Sequence, residues 1–370
     1  MYITDLYLIG LCIFSLIILI FYYYIFHRFN LHNTRKKSHL FNEPISVIIC
    51  AKNEVDNLRK NLPIILSQDY FKFEVIIVND QSSDNTSSFL KEIKKDNENL
   101  VIVTIDEHVN CQIGKKFALT LGIKTAKYEH LLLTDADCIP SSKNWINIIT
   151  KQFANHDIIL GHGAYEKTSG LLNKLIRYDN FIIAQQYLSY ALTGMTYMGV
   201  GRNLAYKKSL FFKNKGFANH MNIPSGDDDL FIQEIARNNI TAIETNKDAH
   251  TISQVNKSWV GWIYQKRRHI TTASYYNLKF KILLTIYPLM QLLFWISIIL
   301  MLFFNINIYL TLLLLLLKLM CTYYINYTSM KKLHAIDLYI IHPVYELLSL
   351  LIQGIFVLLN IFEKPKKWNK

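Results

Sequence analysis

Cysteine is scarce in this chain, five in 370 residues, and no two stand at the short spacing of a disulfide framework or a zinc ribbon. Cys12 and Cys321 lie inside long apolar runs. Histidine does not supply a zinc site either, because His162, His220, His250 and His269 fall at intervals that match no familiar ligand pattern. No internal repeat is evident. Acidic residues are the minority charge, 28 against 40 Lys and Arg, which leaves a net charge of +12. Many of the basic residues flank apolar runs, where attraction to anionic lipid accounts for them at about 1 kcal/mol each. Nucleic acid is therefore not the expected partner, and the scattered cysteines fit a reduced, cytoplasmic central region.

What the chain has in abundance is apolar surface. Hydrophobic residues make up 51% of it, and the mean hydropathy is positive, which is unusual for a soluble protein. Leu6 to Phe26 is almost uninterrupted, long enough to span a bilayer as a helix of about 20 residues. His27, Arg28, Arg35, Lys36 and Lys37 follow it. A secretory leader carries its charge before the apolar run and a cleavage site after it. The order here is reversed, so residues 1–41 read as an uncleaved anchor with its basic side in the cytoplasm. Three further runs, Ile282 to Phe304, Ile306 to Tyr327 and Ile336 to Phe362, make residues 282–370 a membrane region of two to three helices. The last run carries His342, Pro343 and Glu346 and also reads as an interfacial or broken helix. Three crossings set the basic tail "EKPKKWNK" outside, against the positive-inside rule. The expected location is the bacterial inner membrane, with residues 42–281 as a cytoplasmic domain.

That domain opens with "ISVIICA" (Ile45 to Ala51), "EVIIVND" (Glu74 to Asp80), "VIVTI" (Val101 to Ile105) and "HLLLTDAD" (His130 to Asp137). Continuous rather than alternating hydrophobicity means burial on both faces, as in a parallel sheet. Helical patterns separate the runs: Val55 to Leu66, Asn85 to Lys95 after an Asp84 cap, and Lys115 to Ala126. Strand and helix in alternation predict a doubly wound α/β fold. In such sheets ligands bind outside the carboxyl ends of the strands. Three strands end there in polar clusters: Lys52, Asn53 and Glu54; Asn79 and Asp80; Thr134, Asp135 and Asp137.

Two carboxylates flanking one residue can address a hard divalent cation, Mg²⁺ or Mn²⁺, together with a diphosphate that completes its shell. An Asp-x-Asp also occurs in ordinary solvated turns. A second acidic cluster, "SGDDDLF" (Ser225 to Phe231), stands just ahead of a helical stretch, where acidic residues often serve only as caps; Asp227 or Asp228 can instead take a proton from a hydroxyl. "QKRRH" (Gln265 to His269) is a juxtamembrane charge run or an arginine clamp for a diphosphate. "YMGVGRNLAYKKSLF" (Tyr197 to Phe211) is a tight turn before a strand, or a backbone that lets a ligand approach closely. Leu171 to Leu192 has apolar residues at helical spacing and lies on the membrane interface or packs inside the protein.

Taken in this order, these motifs resemble a membrane-bound family 2 glycosyltransferase with the GT-A fold, a group that includes cellulose, chitin and hyaluronan synthases and ceramide glucosyltransferases. The resemblance covers about Pro44 to Thr272. It implies that Ala51 and Glu54 of "VIICAKNE" lie near the nucleotide base and that Asp80 of "VNDQSSDNT" bonds the uracil. Lys115 of "GKKFALTLGI" would approach the nucleotide, with Thr120 where the family commonly has asparagine. In "TDAD", Asp137 would coordinate the cation, and Asp135 would contact the ribose, the donor sugar or the metal.

"SGDDDLF" resembles the family's Thr-Glu-Asp region, which makes Asp227 the general base and Asp228 its alternative, with Gly226 in place of glutamate. "QKRRH" resembles the Gln-x-x-Arg-Trp motif, so Gln265, Arg268 and His269 would face the diphosphate, with histidine in place of tryptophan. Gly199, Gly201, Arg202 and Asn203 would floor the acceptor site.

The implied reaction moves a sugar from a UDP-sugar onto a hydroxyl of a membrane lipid or lipid-linked glycan, with inversion at the anomeric carbon. A processive polysaccharide synthase is the alternative, and the missing tryptophan favours single transfer. Two other classes stay open. A nucleotidyl enzyme would release pyrophosphate rather than UDP; an inactive membrane scaffold would bind a nucleotide sugar without turning it over.

Overall fold

The computed structural model describes residues 2–33, 41–105, 114–223, 225–255 and 258–362. Arg35 to Lys37 and the basic tail from Glu363 lie outside the described residues.

In chain order the elements begin with α1 (Tyr2–Phe21), which continues through a short π-helical stretch into α2 (His27–Leu31). Next come β1 (Ile45–Ala51), α3 (Val55–Leu66), β2 (Phe73–Asp80), α4 (Thr86–Ile93), β3 (Leu100–Ile105), α5 (Lys115–Thr125) and β4 (His130–Leu133). Then follow β5 (Cys138–Pro140), α6 (Trp145–Thr150), β6 (Ile158–Leu160), β7 (Gly163–Tyr165), α7 (Leu171–Leu192), β8 (Leu204–Lys207) and α8 (Lys208–Lys213). The rest are α9 (Asp229–Ile235), β9 (Thr241–Ile243), β10 (Thr251–Ser253), α10 (Trp259–Ala273), α11 (Leu278–Phe303), α12 (Ile308–Lys332) and α13 (His342–Phe362).

The elements fall into two compact units. One holds every strand with α3–α6, α8 and α9; the other gathers α1, α2, α7 and α10–α13.

In the sheet unit, seven strands run in the order β3-β2-β1-β4-β8-β6-β9. β3, β2, β1 and β4 are mutually parallel, as continuous Val, Ile and Leu runs require. β8 then adds antiparallel to β4, which makes the sheet mixed. A second sheet, β5-β10-β7, stands beside it. Val47, Ile49, Val75, Ile77 and Leu132 are completely buried in the core between sheet and helices. Each such side chain contributes about 1.5–3 kcal/mol by leaving water. α5 lies unusually close to the sheet because Gly122 has no side chain: a Cβ there would come within 2.7 Å of Ile48 Cγ2.

The expected strand to Asp137 ends instead at Leu133, where its pairing with Ile48 and with Leu204 stops. Thr134 turns its hydroxyl to the carbonyl of Arg202 at 2.9 Å, and Cys138 N–H donates back to Asp135 O at 3.1 Å. The two carboxylates therefore sit in a turn rather than on an extended segment. α4 likewise begins one residue later than the pattern suggests, because Asp84 is shared: Oδ1 accepts from Thr86 N at 3.0 Å and Oδ2 from Val55 N at 3.2 Å.

Among the described residues, four helices of the helical unit are long and apolar enough to cross a membrane: Leu6–Leu31, Leu278–Phe303, Ile308–Lys332 and His342–Phe362. That is the mark of an integral membrane protein. The last is one continuous helix, with Pro343 in its first turn, where proline is tolerated. Glu346 is buried against Lys318 of α12, and Trp295 Nε1 of α11 donates to it at 3.1 Å. Lys318 and Glu346 thus satisfy each other inside the unit.

α7 packs within this unit rather than lying on its surface. Arg177 makes a bidentate pair with Asp337, Asp179 accepts from Lys266 Nζ at 2.6 Å, and Tyr178 reaches His342 Nδ1 at 2.8 Å.

Candidate active site

The carboxyl ends of β1, β2 and β4 share one edge of the parallel sheet. The loops after β1 and β2 are stitched together there. Asn53 N–H donates to Ser82 Oγ at 2.9 Å, and Ser83 N–H donates to Asn53 Oδ1 at 2.8 Å. Glu54 is buried and accepts from Asn57 Nδ2 at 2.6 Å. Ala51 turns its methyl into the core. Asp80, half-buried, is raised by loss of water, with Lys52 opposing the shift.

A crevice opens beside the β4 turn, lined by Cys50, Lys115, Thr134, Asp135, Gly201, Asp227 and Asp228 among others. It unites residues from five motifs that lie far apart in sequence. α5 begins at Lys115, whose ammonium stands 2.7 Å from Asp135 Oδ1 and 3.5 Å from Asp227 Oδ2. Burial works against that charge, but Asp135 and Asp227 outweigh it and hold the ammonium well above its usual range.

Asp228 is placed differently from its neighbour. It caps α9, accepting from Asp229 N at 2.9 Å, and its other oxygen accepts from Gly201 N at 2.9 Å. Burial, together with Asp227 and Asp229, pushes it up to about 8. Gly226, just before the cluster, has φ +101°. A Cβ there would meet Leu230 Cδ1 at 2.6 Å, so the glutamate of the family triplet has no place at this position.

Asp135, Asp137 and Cys138 bring one ligand atom each within 4.8 Å of one another. The Cys138 thiol faces Ser253 Oγ at 3.0 Å, and burial pushes it up to about 12, so it is not ionised at neutral pH. What remains is a pair of carboxylates, a donor set that suits Mg²⁺ or Mn²⁺. Asp137 is raised by burial and by the nearby Asp135, with Arg202 opposing; a cation would relieve that repulsion.

Arg202 lies against the Tyr165 ring at 4.2 Å and donates to Ser253 Oγ at 3.2 Å. This places it beside the candidate metal carboxylates rather than on an open floor. Asn203 is fully buried, accepting from Trp145 Nε1 and donating to the carbonyls of His162 and Ala249. Its side chain ties three segments of the sheet unit together. Gly199 N–H donates to Asp228 O at 3.3 Å.

Gln265, Arg268 and His269 lie on α10, in the helical unit. Their neighbours there anchor the helix: Lys266 on Asp179 and Arg267 on Asn360 Oδ1 at 2.9 Å.

Residues 46–213 match the family model for Glycosyl transferase family 2. That segment, from β1 to α8, is a glycosyltransferase family 2 domain. A poly-beta-1,6-N-acetyl-D-glucosamine synthase of Staphylococcus epidermidis is 37% identical over 121 residues, which is 32% of this chain and 28% of the synthase. The enzyme of that name from Staphylococcus aureus strain MSSA476 is 38% identical over 97 residues, 26% of this chain and 22% of its own length. The chain thus matches less than a third of each relative. Among solved structures, a mannosyltransferase from Pyrobaculum calidifontis in complex with GDP-Man and Mn²⁺ superposes with a TM-score of 0.55 at 17% identity, over 91% of this chain and 99% of that one. That likeness shows the fold of the family 2 domain, a GT-A-like mixed α/β sheet accompanied by long apolar helices.

Proposed function

We propose that this family 2 glycosyltransferase moves a sugar from a UDP-sugar to an acceptor hydroxyl with inversion at the anomeric carbon. The observation that carries the reading is the crevice in which Lys115 joins Asp135 to Asp227. Asp227 removes the acceptor proton as the oxygen attacks, and the bond to UDP breaks in the same displacement. Lys115 offers a fixed positive charge where the diphosphate becomes more negative. Asp135 and Asp137 would hold Mg²⁺ or Mn²⁺, which supplies counter-charge to the leaving group when bound. Asp228 keeps the segment in register by accepting from Gly201 N–H. Asp80 and Glu54, at the same sheet edge, are assigned to the nucleotide base by the resemblance of their motifs.

Likeness to the staphylococcal synthases supports N-acetylglucosamine as the donor sugar and a growing glycan as the acceptor. A second reading, single transfer to a lipid-linked acceptor, is favoured by His269 at the position of the tryptophan. The sheet unit is assigned to the cytoplasmic side because Arg28, Lys279, Lys281, Lys331 and Lys332 mark the corresponding helix ends. Lys332 Nζ donates to the carbonyls of Phe29 and Asn30, which brings two of those ends together.

The test is UDP release by detergent-purified protein with Mn²⁺ or Mg²⁺ across a panel of UDP-sugars, with and without membrane lipid extract, and Asp137→Ala as the blank. Release with one sugar that disappears in the variant and on chelation supports the reading. Mass spectrometry of the product then separates a polymer from a single addition. Pyrophosphate in place of UDP, or no release from folded protein, would overturn it.

A further inference from the structure

The second lysine of "GKKFALTLGI" has no part in the crevice, yet Lys116 is 1% exposed and every N–H of its ammonium is used. Lys115 and Lys116 open the same helix and project about 100° apart around its axis. Lys115 points into the crevice, and Lys116 points behind it. There the ammonium donates to His220 O at 2.6 Å and to Ile223 O at 3.0 Å, and meets His220 Nδ1 at 2.8 Å. An ammonium has three donors and no acceptor. Nδ1 must therefore be the acceptor, which leaves the ring proton on Nε2.

Nε2 faces Glu234 Oε2 at 3.9 Å. Glu234 belongs to α9 and is also held by Asn214 Nδ2 at 2.7 Å. The segment that bears Asp227, Asp228 and Asp229 thus runs from the Lys116 anchor to a helix whose Glu234 lies near the His220 ring but beyond hydrogen-bond reach of it. Upstream, Lys116 grips the carbonyls of residues 220 and 223; downstream, α9 returns to the far edge of the His220 ring. Phe217 packs beside that ring and against Phe231 of α9, with centroids at 5.8 and 5.3 Å.

We propose that Lys116 and His220 form a positioning latch that sets where the Asp227 carboxylate stands relative to Lys115 and the β4 turn. The proposal rests on the glycosyltransferase reading for its kinetic consequence only. The charged groups around the latch are Glu234 on α9 and Asp227, Asp228 and Asp229 at its start. Burial and the adjoining ammonium hold His220 below the usual histidine range, so the ring stays neutral and Nδ1 stays an acceptor.

Hydrogen exchange on the full-length protein in detergent, without substrate, tests the latch directly. Lys116→Met should speed exchange in peptides covering 216–230 by about tenfold or more and leave β1, β2 and β4 unchanged. Unchanged exchange in 216–230 would overturn the proposal. Should the strands also lose protection, Lys116→Arg, which keeps the charge and several donors, must restore the strands and most of the 216–230 protection; failure to do so would count the side chain as general packing and overturn the latch.

In kinetics, Lys116→Met should lower kcat about ten- to a hundredfold, as expected when a reacting group is displaced by about 1 Å, with donor KM within about threefold. An intact kcat with a raised KM contradicts the latch. Absence of UDP release in the unaltered protein would sink the functional reading, while the exchange result still decides the latch.

Discussion

The backbone N–H of Gly201 donates to Asp228 Oδ2 at 2.9 Å, and this one bond separates the tasks of two adjacent carboxylates. Asp228 has its other oxygen on Asp229 N, the start of α9, so both of its oxygens serve the backbone. Asp227 instead faces Lys115 across the crevice.

Asp227→Asn should therefore lower UDP release by about a thousandfold or more while donor binding, read by calorimetry, stays within a few fold. Asp228→Ala should show the opposite balance. Loss of the cap and of the Gly201 contact should cost about 1–2 kcal/mol of stability, seen as a lower melting temperature, with turnover reduced less than in Asp227→Asn. Transfer that survives at both positions would remove the base from this cluster.

Stability should also carry a pH signature from Asp228. Burial beside Asp227 and Asp229 raises it to about 8 in the folded protein, against about 3.9 for an unperturbed aspartate. The folded chain then holds a proton that the unfolded chain releases. Its contribution to stability is complete below about pH 4 and is lost as pH rises through about 8. Melting curves across this window should fall for the unaltered protein and fall less steeply for Asp228→Asn; parallel curves would contradict the assignment.

Gly226 is the place where the chain departs from the family's acidic triplet, and its backbone explains why. At φ +101° with Leu230 Cδ1 2.6 Å from where a Cβ would stand, Gly226→Ala should cost about 1–3 kcal/mol. Gly226→Glu should be no milder. Thermal unfolding in detergent gives the answer, and a neutral Gly226→Ala would mean that the loop adopts another conformation.

The buried pair Lys318 and Glu346 joins α12 to α13 inside the helical unit. Removing one partner strands a charge away from water, so Lys318→Met or Glu346→Leu alone should cost about 3–5 kcal/mol. The double replacement should recover most of the loss. Unfolding by a denaturing detergent compares the three, and additive losses would mean that the two charges act separately.

Much of this could be read from residue order alone, because it depends on local pattern. Unbroken Val, Ile and Leu runs gave β1 to Ala51 without error and α3 from Val55 to Leu66, and the long apolar runs marked one anchor and two to three further membrane helices, the last run being a full-length helix in the structure. The cluster at the end of the β4 run named Asp135, since a parallel sheet gathers its strand ends along one edge; Asp227 came from the acidic run ahead of α9, and Lys115 from the resemblance of its motif to the family's.

Other features depend on neighbours that are distant in sequence, and only folding reveals them. The strand toward Asp137 stops at Leu133 because its partners stop there, not because its own residues cease to favour extension. Asn203 looks like a polar loop residue until Trp145 and two carbonyls close around it. Arg202 joins the candidate metal carboxylates only through the β7 and β10 strands beside them. A run of two lysines says nothing of their division of labour. One turns to the carboxylates and the other to His220, because a helix sends consecutive side chains in different directions and the sheet unit supplies a different partner for each.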